Sequence, residues 1–155
     1  MTSNTQAEKA LTEVFHEWVA STVDPEGFPV PHALVRNREG TLTVVALAVP
    51  PTEAYAVMLK LWHQGAEEMI FALDRFALPG QGTTLGDLLA GFHFTRHAAP
   101  RPFIIEYQHA PRIVRPIDWD NVHWTAGLYG EFNQVLRQRL GIAPEKVQDT
   151  VGGRG

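Results

Sequence analysis

Residues 68–117 read as three or four apolar strands separated by turn residues, and several of them carry a polar side chain midway: Asp74, His93, Thr95, Glu106 and Gln108. This pattern constrains the fold more than any other feature of the chain, because at strand spacing every second side chain shares one environment. Met69, Phe71, Leu73, Arg75 and Ala77 then lie on one face, and Ile70, Ala72, Asp74, Phe76 and Leu78 on the other. Mid-strand acids, imidazoles and amides either line a site or form a satisfied polar core.

The flanking segments supply helices. Leu11, Val14, Phe15, Trp18 and Val19 form one stripe at helical spacing, Thr5 and Glu8 fit a capping box, and Asp24-Pro25-Glu26-Gly27 stops the run. Strands are expected at 32–37 and 41–49, joined by Arg38-Glu39-Gly40, whose final glycine suits a hairpin with a bulge. The run 44–49 is apolar on both faces, which predicts a strand inside the sheet rather than at its edge. Pro50 and Pro51 open a second helix with Tyr55, Met58, Leu59 and Trp62 facing the core and Gly65 as its C-terminal cap. Residues 85–90 suit either a short helical turn or the start of a strand. Further strands are expected at 91–97, 103–108 and about 113–117. A last helix from about 120 to 140 turns Leu128, Phe132, Val135, Leu136 and Leu140 inward.

The expected fold is therefore α+β, a single domain over residues 1–145 with a mobile tail at 146–155. It should have a largely antiparallel sheet of five to six strands packed with three helices, in the order α-β-β-α-β-β-β-(β)-α. Several unrelated small folds share this order, and no residue motif selects a family among them.

Composition narrows the function classes. A chain of 155 residues buries roughly 70% of its extended surface and folds without a disulfide or metal. It has no cysteine, which excludes thiolate zinc sites and cysteine nucleophiles. Its only serines are Ser3 and Ser21 and no Gly-x-Ser-x-Gly elbow exists, which excludes a serine hydrolase. Thirteen Lys and Arg are scattered against a net charge of −4, so there is no strong nucleic-acid signal. No secretory leader is visible and the longest apolar run, 44–49, falls far short of a membrane span, so a cytoplasmic location without membrane association is expected.

Four constellations carry chemistry. Asp74 with Glu106 and Gln108 has the residue types of a Mg²⁺ site, two carboxylates on neighbouring strands with an amide to orient water. The lysine that such nuclease sites place two residues after the second acid is Gln108 here. The structural alternatives are an arginine partner for Asp74 and the solvent face of an edge strand for Glu106. His93 and His97 would converge on one metal if helical, but on a strand they stand about 13 Å apart. They also lack the two-residue spacing and the following serine and aspartate of a JAB-type metalloprotease. His109, Asp118, Asp120 and His123 surround the entry to the last helix with ligands suited to Zn²⁺ or Mn²⁺, where N-capping by Asp120 or Asn121 is the competing explanation. The loop at 79–84 has glycines and threonines that would offer amides to an anion, without the lysine of a P-loop. Trp119 and Trp124 fall outside the core stripes and form either a contact surface near Tyr129 or a cover over the sheet.

Two functions follow as expectations. One is a binding or regulatory module without catalysis, taking a protein partner or a second copy through a sheet edge or the Trp119–Trp124 region. The other is a metal-dependent phosphodiesterase or nuclease, with Asp74 and Glu106 holding the ion, Gln108 orienting water and His93 as general base. No cofactor is specified by either. The two carboxylates must lie within about 6 Å for the second to hold.

Overall fold

The computed structural model describes residues 9–77 and 82–140, which form an α+β fold. In chain order the elements are α1 (Leu11–Thr22), β1 (His32–Asn37), β2 (Leu42–Ala46), α2 (Pro51–His63), β3 (Ala66–Phe76), β4 (Asp87–Thr95), β5 (Ala98–Gln108), β6 (Ile113–Val114) and α3 (Val122–Val135). The last helix runs on into a π-helical turn, Leu136–Leu140. The six strands form one sheet in the order β2-β1-β3-β4-β5-β6, antiparallel at every pairing. The expected fold class and element order are those observed.

The alternation on β3 sorts the core into two layers. On one face Leu34, Ile70, Ala72, Leu89, Phe103 and Ile105 pack against Leu11, Val14, Phe15 and Val19 of α1. On the other, Met69, Phe71, Leu73, Phe92, Phe94 and Ile104 pack against Ala54, Tyr55 and Met58 of α2 and Leu128, Phe132 and Val135 of α3. Burying both faces lets β3, β4 and β5 be almost wholly apolar, because neither face needs to meet water. Gly91 sits at the sheet centre opposite Ala72 and Phe103. A Cβ built on it would lie 1.8 Å from the Phe71 carbonyl oxygen, so glycine permits the close approach of β3 and β4 there.

The β1–β2 hairpin uses Arg38-Glu39-Gly40 as expected. Gly40 takes a positive φ of 88°, and the Asn37 side chain accepts from the amides of Glu39 and Thr41. Of the two alternatives for residues 85–90 the start of a strand is the one observed, since β4 begins at Asp87 and no helical turn precedes it. The described part of α1 begins at Leu11 with Ala10 at the N-cap and no side-chain cap, and Thr5 and Glu8 lie outside the described residues.

One expectation is reversed. The strand at 41–49 is an edge strand, because β2 has only β1 as a neighbour among the described residues. Its apolar character has another cause: the strand ends at Ala46, after which Leu47 is buried and Val49 packs against the α2 side of the core. Val44, within the strand, is left 47% exposed. Among the described residues no helix is long and apolar enough to cross a membrane.

Candidate functional site

Asp74 lies on the α1 face near the end of β3, as its parity requires. Its Oδ1 accepts a hydrogen bond from the Tyr107 hydroxyl at 2.6 Å and its Oδ2 accepts from the Phe28 amide at 3.2 Å. Among the described residues no arginine is paired with it; the neighbouring Arg75 points to the opposite face and pairs with Glu131. The Asp74–Tyr107 pair anchors the loop after α1, and Gly27 passes so close that a Cβ would sit 2.5 Å from the Tyr107 oxygen and 2.8 Å from Asp74 Oδ2. Gly27 also has a φ of 69°, so both space and backbone demand glycine. Burial pushes the Asp74 carboxyl above its ordinary value, against the opposing pull of the Tyr107 and Phe28 donors, and the nearby Asp87 charge adds to the rise. Burial and the Asp74 carboxylate together push the Tyr107 phenol up.

Glu106 points to the other face. In the ladder Asp74 stands opposite Leu89 and Leu89 opposite Ile105, whereas Glu106 stands opposite Leu88 and Leu88 opposite Arg75. A one-residue offset in register reverses the face. Asp74 and Glu106 are therefore divided by the sheet and do not share a cation. Neither is Glu106 on an edge strand, since β5 lies between β4 and β6. Its Oε1 accepts from the amides of Thr84 at 2.7 Å and Leu85 at 3.1 Å, which ties down the segment before β4. Gln108 is likewise committed, its Nε2 donating to the Pro111 carbonyl at 2.9 Å.

His93 lies on the α1 face, where its Nε2 is 2.6 Å from Glu68 Oε2. Glu68 Oε1 accepts from Arg36 Nη1 at 3.2 Å, and Arg36 Nη2 donates to the Lys9 carbonyl at 2.7 Å. The Trp119 ring closes over this network, 6.0 Å from His93 and 5.5 Å from Phe103, with the Arg101 guanidinium 4.4 Å above it. The network joins the segment before α1 to β1, β3 and β4, and commits the Nε2 of His93 to Glu68. His97 sits exposed in the β4–β5 turn, outside the network.

Of the candidates around the last helix, Asn121 and Asp118 make structural hydrogen bonds, while His109, Asp120 and His123 are exposed. Asn121, rather than Asp120, is the N-cap of α3: its Oδ1 accepts from Trp124 N and its Nδ2 donates to the Gly82 carbonyl. Asp118 Oδ1 accepts from the Asp120 amide. Among the described residues no group of three or more His, Asp or Glu side chains is placed to hold a metal ion. Residues 79–81 of the expected anion loop lie outside the described residues. Trp119 and Trp124 separate, the first covering the α1-side core and the second packing on the α2–α3 side.

Sequence reasoning overlooked two networks and one surface. Tyr55 and Arg75 both donate to Glu131 Oε1, linking α2, β3 and α3; burial and that carboxylate push the Tyr55 phenol up. The Arg36–Glu68–His93 chain was missed because Arg36 and Glu68 are cross-strand partners from distant segments. The surface is the outer edge of β2. Thr41 accepts from Asn37 and Leu47 donates to Pro31, so the odd-numbered residues bond inward to β1 and the amides of Leu42, Val44 and Ala46 face outward. At the other end of the sheet the edge strand is short: β6 has two residues and pairs with β5, and beyond it Arg115 N donates to the Glu106 carbonyl and Asp118 and Ile104 exchange bonds at 2.8 and 3.0 Å. The signal was legible as the absence of any charge, proline or glycine in Leu42–Ala46. Comparisons with family models, curated proteins and solved structures return no match to this chain.

Proposed function

We propose that this chain is a small cytoplasmic binding module that engages a protein partner through the open β2 edge, without a catalytic step. The observation that carries this reading is the asymmetry of the sheet's two edge strands: β6 has only two residues, while β2 presents outward amides along an uncharged strand of five. Natural sheets ordinarily guard such edges with charge, proline or a covering segment, and strand addition uses edges left without these guards. The strand-borne polar residues add support, because Asp74, His93, Glu106 and Gln108 each serve as an anchor for a loop or a neighbouring strand. The hydrolase reading draws no support from this arrangement, since its two metal-holding carboxylates occupy opposite faces.

Residue-resolved amide hydrogen exchange on the full chain at high dilution tests the reading. The amides of Leu42, Val44 and Ala46 should exchange far faster than those of Thr43 and Val45, which bond to β1. Protection of the outward amides in the dilute monomer would show that the edge is occupied from within the chain. Melting curves with Mg²⁺, Mn²⁺ or Zn²⁺ should coincide with the metal-free curve; a rise of several degrees would instead reveal a bound ion.

A further inference from the structure

We infer that the occupant of the open edge is a second copy of this chain, paired antiparallel with β2 about a twofold axis at Val44. The inference rests on the binding-module reading above and adds the identity of the partner. It follows from the bonding phase and from the side chains taken together. Leu42, Val44 and Ala46 are the residues whose N–H and C=O groups face outward. An axis at Val44 sets Val44 against its own counterpart and Leu42 against Ala46 of the other copy. Every outward donor of each strand then meets an outward acceptor, with all of them in hydrogen-bonded pairs.

The side chains fit the same axis. The larger Leu42 faces the small Ala46, Val44 faces Val44, and Thr43 faces Val45, so two of these pairings are between β-branched residues suited to cross-strand contact. No charged residue lies in the strand, and the chain's net charge of −4 therefore opposes no pair within the contact. An axis normal to the sheet keeps α1 of both copies on one side and continues the six strands into a sheet of twice that width. The match in size about Val44 is one that a second copy supplies from its own sequence. Five residues a side form a small contact, so the association is weak, with a Kd on the order of 0.1 mM.

The chain's lack of cysteine supplies a direct test. In the full-length Val44→Cys protein the two thiols meet across a hydrogen-bonded pair, with Cα atoms about 5.5 Å apart, within the ~4.4–6.8 Å that a disulfide spans. Oxidation with diamide should produce a covalent dimer at a rate that rises with protein concentration. Val122→Cys, on a 75% exposed residue at the start of α3, serves as the collisional control and should cross-link at least about tenfold more slowly. Sedimentation velocity of the parent should show a concentration-dependent shift toward dimer. Val44→Lys, which sets two ammonium groups side by side, should weaken it at least about tenfold.

A parent that stays monomeric to about 0.5 mM, with Val44→Cys no faster than the control, overturns the inference. If the outward amides also exchange freely, the open-edge reading survives with another partner. If they are protected in that monomer, residues of the chain itself cover the edge and both readings fall. A parent dimer that Val44→Lys leaves unchanged, again without selective cross-linking, places the interface elsewhere and also overturns the inference. Should Val44→Lys fail to fold, the cysteine pair and the concentration dependence of the Leu42, Val44 and Ala46 amides decide the matter.

Discussion

Replacing Asp74 by asparagine separates a buried structural carboxyl from a metal-holding one. The carboxylate accepts from the Tyr107 hydroxyl and the Phe28 amide, and each hydrogen bond to a charged group contributes about 1.5–3 kcal/mol when intact. Set against this is the cost of taking the charge out of water, which is the larger influence and holds the carboxyl above its ordinary value of 3.8. The half-buried position screens both contributions. Asparagine has one carbonyl oxygen in place of two, so it keeps the acceptor for Phe28 and turns its NH2 toward the Tyr107 oxygen, which must then accept; Asp74→Asn should lower stability by about 1 kcal/mol at neutral pH, against about 2 kcal/mol lost in Asp74→Ala. The sign of the pH dependence is diagnostic. Because the folded-state pKa is raised, the fold favours the protonated acid, and its contribution is full below the unfolded pKa and lost as pH rises through the folded value. The stability of the parent relative to Asp74→Asn should therefore decline from pH 3 to pH 7. Urea unfolding at constant ionic strength, with the slope m unchanged between the proteins, measures it. A relative stability that grows with pH would mean that the fold stabilises the carboxylate, and the burial argument would be refuted.

Gly91→Ala should destabilise by about 3 kcal/mol or more, because the added methyl must push the Phe71 carbonyl and the adjacent strands apart; an urea midpoint within error of the parent would show that β3 and β4 do not approach as described. His32 lies between Trp18 at 4.9 Å and Phe28 at 6.4 Å, and burial lowers its pKa below the usual imidazole value of 6.5. Its contribution is full above about pH 6.5 and lost as pH falls through the lowered folded-state value. The stability of the parent relative to His32→Phe should accordingly fall as pH drops below that point, and a flat difference across that range in chemical denaturation would count against it.

Legibility varied by scale. The stripes Leu11, Val14, Phe15, Val19 and Leu128, Phe132, Val135 were readable as helices because a helical face must bury every third or fourth residue. The two faces of β3 were readable for the same kind of reason at a spacing of two. Whether Asp74 and Glu106 meet was not readable, since it depends on the register of β3, β4 and β5 across turns, and one residue of offset reverses a face. The apolar run 44–49 misled because it spans two environments, an exposed edge at Val44 and a buried crossing at Leu47.

Local periodicity thus determined the main helices and strands and which residues of one strand share a face, and the short connections between strands determined the antiparallel sheet. Those features depend on interactions between near neighbours in the chain. The tertiary structure decided which strand lies at the edge, which acid meets which donor and which amides face outward among the described residues. Each of these is a pairing between distant segments, and its energy depends on register and neighbour order, which no local pattern encodes.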